Sequence, residues 1–173
     1  MTSSTQDDSE SLLRPALGTI LFVLVVPGTV IGWVPFLLSR WRLQPPFFGL
    51  ESSRWLGVIV FLCGVPVFFD FLVRFVRDGR GTPAPIAPTR RLVVTGAFRY
   101  VRNPGYIGVL SLLVGQALFL GSAAVLLYAA CVAVAFHVFV LFYEEPTLRR
   151  QFGEEYEDYC RRVQRWIPRR PRE

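Results

Sequence analysis

Two short polar clusters flank a long stretch of this 173-residue sequence that contains no Asp, Glu, Lys or Arg. The first cluster, residues 95–106, combines arginines with aromatic residues, and the second, residues 143–146, contains the adjacent acids Glu144 and Glu145. A guanidinium group binds a carboxylate, a carboxylate binds an ammonium group, and aromatic rings pack on a flat base or a cation. If the two clusters meet in the fold, they predict a pocket for a ligand that carries both charges.

The charge-free stretch between the clusters, residues 105–143, is too long for one ordinary membrane span of about 20 residues. Gly121-Ser122 lies near its middle and predicts a turn between two helices. Asn103-Pro104 is typical of a helix start, with Asn at the cap and Pro at the first helical position. Because a helical hairpin brings its two open ends together, this arrangement places the two clusters side by side.

The composition indicates a membrane protein. Hydrophobic residues make up 52% of the chain and charged residues only 18%, against about a quarter charged in a soluble domain. Long apolar runs alternate with short charged ones, which excludes a disordered chain, a disulfide-rich secreted module and an ordinary water-soluble enzyme. We therefore predict an all-α integral membrane protein with about four transmembrane helices, the last two a helical hairpin, followed by an amphipathic C-terminal helix.

A single membrane domain, 1–173, accommodates these elements. The predicted order is a polar N-terminal tail at 1–15, spans at 16–38, 55–76, 103–120 and 123–143, a cytoplasmic loop at 77–102 and a cytoplasmic amphipathic tail at 144–173. Prolines and glycines in the first span predict a kinked or locally unwound helix. Asp70 and Arg74, four residues apart, favour a snorkelling ion pair at the interface over a functional charge.

The tail is expected to lie on the membrane surface, because its apolar residues recur at spacings of three and four. These residues are Leu148, Phe152, Tyr156, Tyr159, Val163 and Ile167. A soluble helix docked on the 77–102 loop is the alternative interpretation.

The positions of the arginines predict the orientation in the membrane. Residues 74–104 contain seven arginines against Asp78, whereas residues 39–54 contain three against Glu51. The positive-inside rule then places the 77–102 loop, the tail and both termini in the cytoplasm. The net charge of +6 is explained by arginines beside spans, so nucleic-acid binding is not expected. The three cysteines form no metal-binding motif or disulfide framework.

The segment Arg102-Asn103-Pro104-Gly105-Tyr106 belongs to a series of short motifs. Thr95-Gly96 precedes it, and Glu144-Glu145-Pro146, Phe152-Gly153-Glu154-Glu155-Tyr156 and Val163-Gln164-Arg165-Trp166-Ile167-Pro168 follow it. Together, over about residues 80–168, these motifs resemble the isoprenylcysteine carboxyl methyltransferase and phospholipid methyltransferase superfamily. The resemblance implies a multi-span membrane enzyme that binds S-adenosylmethionine on the cytoplasmic side and methylates a lipophilic small molecule or lipid.

The resemblance also implies roles for individual residues. Arg102, Pro104 and Tyr106 occupy an RxPxY motif, Glu144 and Glu145 a paired-glutamate motif, and Arg165 the position before the terminal Ile-Pro. We expect catalytic roles for Arg102, Glu144 and Glu145, and no metal. The expected cofactor-binding set is Gly96, Phe98, Arg99, Tyr100, Arg102, Asn103, Pro104, Tyr106, His137, Glu144, Glu145 and Arg165. Prenylcysteine enzymes typically have histidine at Asn103, and asparagine there is more typical of the phospholipid methyltransferases.

Several alternatives remain open at this point. Arg102 or Arg99 can bind the carboxylate of the cofactor, and Glu144 or Glu145 its ammonium group. His137 either lines the pocket or forms a hydrogen bond between helices. An NADPH-dependent membrane reductase of the sterol-reductase type is a second enzyme class, although its cofactor carries extra phosphates that require more arginine. A non-enzymatic membrane scaffold is the third possibility.

Overall fold

A computed structural model describes residues 25–77 and 92–169 of the chain. These residues form five helices and no strand, in agreement with the predicted all-α class. The helices are α1 (Val25–Ser39), α2 (Ser52–Arg77), α3 (Pro104–Leu120), α4 (Ala123–Phe152) and α5 (Glu154–Arg162). Two short 3₁₀ turns lie at Phe47–Gly49 and Gly96–Arg99. The predicted tail at 1–15, the start of the first span at 16–24 and most of the 77–102 loop lie outside the described residues.

Two of the helices are long and apolar enough to cross a membrane, at Ser52–Arg74 and Ala123–Phe152. Only 17% of the most apolar window of each helix is buried within the protein. The core helix of a soluble protein would be buried from water on most sides, so these exposed apolar faces indicate contact with lipid. The described part of α1 and the whole of α3 are shorter apolar helices. The chain is therefore a membrane protein, and the number of four spans stays a prediction.

Helices α2 and α3 pack closely because both present small residues to each other. Gly57 and Gly64 of α2 lie seven residues apart, as do Gly108 and Gly115 of α3. A Cβ atom at Gly115 would lie 2.7 Å from the Cβ of Phe61 and 2.8 Å from the carbonyl oxygen of Gly57. Such contacts between backbones are the usual basis of helix association in membranes, where lipid is as apolar as the helices. The neighbouring core contains Phe68, Leu72, Val109, Leu112, Leu113 and Ala129.

The turn between α3 and α4 falls at the predicted Gly121-Ser122. Gly121 adopts φ 69°, a left-handed conformation that favours glycine, and Ser122 accepts a hydrogen bond from the backbone N–H of Val125 at 3.4 Å. The two helices also contact each other. The turn is thus at the expected place, while a hairpin in which both helices cross the membrane stays a prediction.

Wide π-helical turns interrupt α1 and α4, at Gly28–Trp33 and Val140–Glu144. In the first, the N–H of Val34, just before Pro35, donates to the carbonyl oxygen of Thr29, five residues earlier. In the second, the N–H of Glu145, just before Pro146, donates to the carbonyl oxygen of Val140. Proline has no N–H for the carbonyl four residues back, and its ring clashes with that carbonyl. The extra residue in the turn relieves both problems. The irregularity predicted for the first span is a widened turn in its described part.

Helix α4 is longer than the predicted span at 123–143, whose limits in the membrane stay a prediction. Helix α4 does not end at residue 143, since the widened turn lets it continue past Pro146 to Phe152. Glu144 and Glu145 therefore lie inside a helix instead of at its end. The predicted tail therefore contains two helical segments. Residues 145–152 are the end of α4, and α5 begins after Gly153.

Helix α5 is amphipathic, as predicted for the tail, but its apolar face is covered by protein. Tyr156, Tyr159 and Val163 are buried against Leu92, Leu148 and Phe152. The expectation that this face lies on the membrane surface is thus wrong, and the alternative, a helix docked on the protein, describes the structure. Ile167, the last residue of the apolar series, is exposed.

Candidate functional site

The first polar cluster is fixed to the end of α2 by an ion pair. Arg74 donates from Nε to Oδ1 of Asp70 at 2.8 Å, and the other oxygen of Asp70 accepts from the backbone N–H of Ala97 at 3.0 Å. Gly96 has φ 56°, and a Cβ atom there would overlap the Arg74 guanidinium. The Asp70–Arg74 pair consequently anchors the Gly96–Arg99 turn. The predicted ion pair is present, and its position at the membrane interface stays a prediction.

Asn103 and Pro104 begin α3, as predicted, but the asparagine side chain does not cap the helix. The side-chain Nδ2 of Asn103 donates to the backbone oxygen of Arg165 at 3.1 Å, and the backbone oxygen of Asn103 accepts from the N–H of Ile107. The buried asparagine thus ties the start of α3 to the C-terminal segment. We name residues 163–169 the C-terminal strap.

Backbone hydrogen bonds hold the strap against residues 100–103. The N–H of Arg102 donates to the oxygen of Gln164 at 2.8 Å, and the N–H of Arg169 donates to the oxygen of Tyr100 at 2.9 Å. This pairing carries Arg165 and Trp166 to the first cluster, although more than 60 residues separate them in the sequence. The strap therefore forms one wall of the site.

Glu145 lies at the centre of the charges, with only 4% of its side chain exposed. Arg102 donates from Nη1 to its Oε1 at 3.1 Å, and Arg165 donates from Nε and Nη2 to its two oxygens at 2.6 and 2.9 Å. A third guanidinium, that of Arg149, is 3.7 Å away. The hydrogen bond to Glu145 raises the pKa of Arg165 above its ordinary value. One carboxylate thus joins α4, the start of α3 and the strap.

Arg102 keeps one donor available. Its Nη1 also contacts the sulfur of Cys160 at 2.8 Å, but its buried Nε has no hydrogen-bond partner among the described residues. A buried donor without a partner is costly, and a bound acceptor would remove that cost. Arg102 borders an open cleft of about 310 Å³. The cleft is lined by Arg102, Cys160, Val163, Gln164, Arg165, Trp166 and Ile167.

Glu144 has a different environment from Glu145. Its Oε2 accepts from the hydroxyl of Tyr106 at 2.8 Å. The ring of Tyr106 lies 4.5 Å from that of Phe136 and 6.4 Å from that of Trp166, measured between centroids. Trp166 in turn donates from Nε1 to Nδ1 of His137 at 3.0 Å. The second carboxylate is therefore bordered by aromatic rings, and His137 joins α4 to the strap.

The structure brings together most of the predicted site residues. Those in or beside the cluster are Arg102, Asn103, Pro104, Tyr106, His137, Glu144, Glu145 and Arg165. Of the predicted set, Arg102 and Arg165 line the cleft. Four other residues lie outside the cluster: Gly96 lies against α2, Phe98 packs near Phe71, and the side chains of Arg99 and Tyr100 are exposed. Their expected contact with a ligand gains no support from this placement.

Sequence reasoning missed five residues that line the cleft: Cys160, Val163, Gln164, Trp166 and Ile167. Gln164 and Trp166 flank Arg165 in a motif already singled out, so their place in that motif was the available signal. Cys160 lies one helical turn beyond Tyr156 on α5, and nothing in the local sequence distinguishes it from a packing residue. Only the docking of α5 places its sulfur against Arg102.

Comparisons with known proteins identify related sequences. The sequence profile of a family described as phospholipid methyltransferase matches residues 52–155. Two curated relatives, from Oryza sativa subspecies indica and japonica, are each named "Probable protein-S-isoprenylcysteine O-methyltransferase". Each is 35% identical to this chain over 78 residues, which are 45% of this chain and 41% of the relative.

The chain thus spans less than half the length of these curated relatives. No solved structure matches it significantly. The family profile, in contrast, covers more than half of the chain and includes α2, α3, all of α4 and both glutamates. The chain therefore belongs to the phospholipid methyltransferase family.

Proposed function

We propose that this protein is an integral membrane methyltransferase that transfers a methyl group from S-adenosylmethionine to a lipophilic acceptor at the cytoplasmic membrane face. The observation that carries the proposal is that Arg102 and Trp166, from two separate segments, line one cleft, and that Glu144, from a third segment, accepts from the hydroxyl of Tyr106, whose ring lies 6.4 Å from that of Trp166. Membership in a methyltransferase family supports the reaction class, and does not favour the reductase alternative.

Arg102 fits the carboxylate of the cofactor. Its Nη1 is held by Glu145, which fixes the plane of the guanidinium, while its Nε is buried and has no partner among the described residues. A carboxylate oxygen is the acceptor that satisfies such a donor best, since charge-assisted hydrogen bonds are about twice as strong as neutral ones. Arg102 is therefore oriented by the protein and retains a donor for a ligand.

Glu144 fits the ammonium group better than Glu145 does. The charge of Glu145 is already compensated by Arg102 and Arg165, with Arg149 nearby. The hydrogen-bond partner of Glu144 in the structure is the neutral hydroxyl of Tyr106. We therefore assign ligand binding to Glu144 and a positioning role to Glu145, which holds Arg102 and Arg165 in place.

The aromatic residues fit the remaining groups of the cofactor. The ring of Tyr106, whose hydroxyl donates to Glu144, lies 6.4 Å from that of Trp166, and a ring face attracts a cation such as a sulfonium or packs on adenine. When bound, S-adenosylmethionine supplies an activated methyl group on a positively charged sulfur. The protein residues contribute orientation and exclusion of water. Glu144 can also accept a proton from an amine acceptor, whereas a carboxylate or thiolate acceptor requires no base.

The location at the membrane follows from the same placement. The cleft lies at the end of α3 where the arginine-rich segment enters, and the positive-inside rule assigns this end to the cytoplasm. The apolar faces of α2 and α4 are exposed to lipid, so an acceptor dissolved in the bilayer has a short path to the site. The names of the two rice relatives support a lipid-linked acceptor.

Cofactor binding to Arg102 variants tests the proposal. Arg102→Lys retains a cation for Glu145 but removes the Nε donor, so the affinity for S-adenosylmethionine should fall by about 1.5 to 3 kcal/mol, or roughly 10- to 150-fold. S-adenosylhomocysteine should be affected equally, because it has the same carboxylate. Arg161→Ala, which removes an exposed arginine of α5, is the matched control.

Titration calorimetry on the folded protein in detergent measures these affinities. Equal affinity in wild type and Arg102→Lys would remove Arg102 from the cofactor site. Binding of NADPH in place of S-adenosylmethionine would support the reductase alternative, and binding of neither the scaffold. Transfer of labelled methyl groups to membrane lipid extract, prenylcysteine analogues, or hydrophobic acids, amines and thiols then identifies the acceptor.

A further inference from the structure

A strained aromatic loop lies at the opposite end of the helices from the cleft. Within the described residues, three non-glycine residues have positive φ, namely Arg40 (50°), Trp41 (50°) and Phe48 (56°). All three fall between α1 and α2. Bulky residues rarely adopt this conformation, and where they do the strain often serves a function of the side chain. We name residues 40–50 the aromatic loop.

The loop presents its largest side chains outward. Phe48 is 95% exposed, and Trp41, Leu43 and Leu50 are also exposed. The exposed Trp33 and Trp55 on the adjoining helices extend this surface. Burying such rings would be strongly favourable, and nothing in the described part of the chain covers them.

The loop is nevertheless held firmly. Arg54 donates from Nη1 to the oxygen of Phe119 and from Nη2 to the oxygen of Gln44, both at 2.7 Å. The N–H of Gln44 donates to the oxygen of Leu120 at 2.8 Å. These bonds fasten the loop to the turn between α3 and α4. The exposure of Phe48 is therefore imposed by a fixed backbone.

We infer that the aromatic loop inserts into the interfacial layer of the lipid bilayer, with Phe48 reaching the acyl chains and Arg40 and Arg42 binding lipid phosphate groups. Both arginines are exposed beside the aromatic surface, and the Arg40 guanidinium lies 5.8 Å from the Phe36 ring centre. A surface with rings at its tip and cations beside them matches the phosphate and acyl layers of a membrane.

Lipid explains this surface better than a second copy of the chain. The exposed apolar faces of α1 and α2 continue directly into the loop, so the apolar surface is continuous from the helices to Phe48. This inference does not depend on the proposed enzymatic function.

Spin labelling in lipid nanodiscs tests the insertion. Phe48→Cys is labelled in a chain whose Cys63, Cys131 and Cys160 are replaced by alanine, and Glu154→Cys on the exposed surface of α5 is the aqueous reference. Collisions with oxygen, which concentrates in the bilayer, should exceed those with a water-soluble nickel complex at position 48. The depth parameter should therefore be positive at 48 and negative at 154.

Two results would overturn the inference. A negative depth parameter at position 48 would place the ring in water, and spin–spin broadening between labels at 48 would place it in a contact between copies. If the labelled variant does not fold, Phe48→Trp is used instead, and quenching of tryptophan fluorescence is measured in lipids brominated on their acyl chains. The added tryptophan should then increase the quenched fraction of the emission above that of wild type, and an unchanged fraction would refute insertion.

Discussion

The adjacent glutamates should respond to the same substitution in opposite ways. Glu145→Gln removes a charge that is 4% exposed and that faces Arg102 and Arg165, whose side chains are 12% and 30% exposed. Removing one partner of a buried ion pair costs about 3 to 5 kcal/mol of unfolding free energy. The partial exposure of Arg165 lets water replace some of the lost interaction, so we expect about 3 to 4 kcal/mol, at the lower end of that range.

Glu144→Gln should leave stability nearly unchanged. The amide oxygen of glutamine can still accept the hydrogen bond that Tyr106 donates at 2.8 Å, so we expect a loss below about 1 kcal/mol. The lost charge should instead weaken binding of the cofactor ammonium group by roughly 10- to 150-fold. For Glu145→Gln, in contrast, the expected loss of about 3 to 4 kcal/mol corresponds to a melting temperature lower by roughly 6 to 16 °C.

Thermal unfolding and S-adenosylhomocysteine binding, measured on both variants in the same detergent, separate the two roles. Glu154→Gln on the exposed surface of α5 gives the baseline for removal of a carboxylate. The reasoning fails if Glu144→Gln lowers the melting temperature as much as Glu145→Gln does. It also fails if Glu145→Gln has the same melting temperature as Glu154→Gln, because the positions of the arginines would then not depend on the Glu145 carboxylate.

Three other outcomes follow from the structure. Gly115→Ala should reduce stability by about 1 to 3 kcal/mol, because its Cβ would meet Phe61 and the α2 backbone. Gly32→Ala, with open space around the new Cβ, should not destabilise the protein, and thermal unfolding compares the two variants. Gly96→Ala should detach the Gly96–Arg99 turn from α2, since φ is positive at residue 96 and the added carbon overlaps Arg74. Proteolysis after Arg99 should then be faster than in wild type. Tags at positions 85 and 173 should both report the cytoplasmic side and a tag at 47 the opposite side, and tags at 85 and 173 on opposite faces would refute the positive-inside assignment.

Local features of the sequence predicted the elements that depend on local physics. The apolar runs predicted α2 and α4 because the cost of burying a polar residue in lipid adds up residue by residue along the chain. Gly121-Ser122 and Pro104 fixed a turn and a helix start, since backbone conformation at these positions depends on the residue itself. Residue spacing also indicated that Arg102 and the paired glutamates belong to one site.

Sequence reasoning was incomplete where one local rule competed with another. The predicted span 123–143 ended before Pro146, yet a widened turn at Val140–Glu144 let α4 continue to Phe152. The spacing of apolar residues in the tail predicted an apolar face correctly. It did not tell whether lipid or protein covers that face, because both are equally apolar.

Only the tertiary structure decided which charges pair. Arginines at 102, 149 and 165 and two neighbouring carboxylates allow many combinations in the sequence, and the pairing depends on distances set by α5 and the strap. The fold commits Glu145 to the arginines and leaves Glu144 beside Tyr106 and the aromatic rings. The sequence by itself determined that a membrane protein with basic, acidic and aromatic groups would form. The different partners of the two adjacent glutamates depended on contacts between residues 20 to 43 positions apart, which no local pattern specifies.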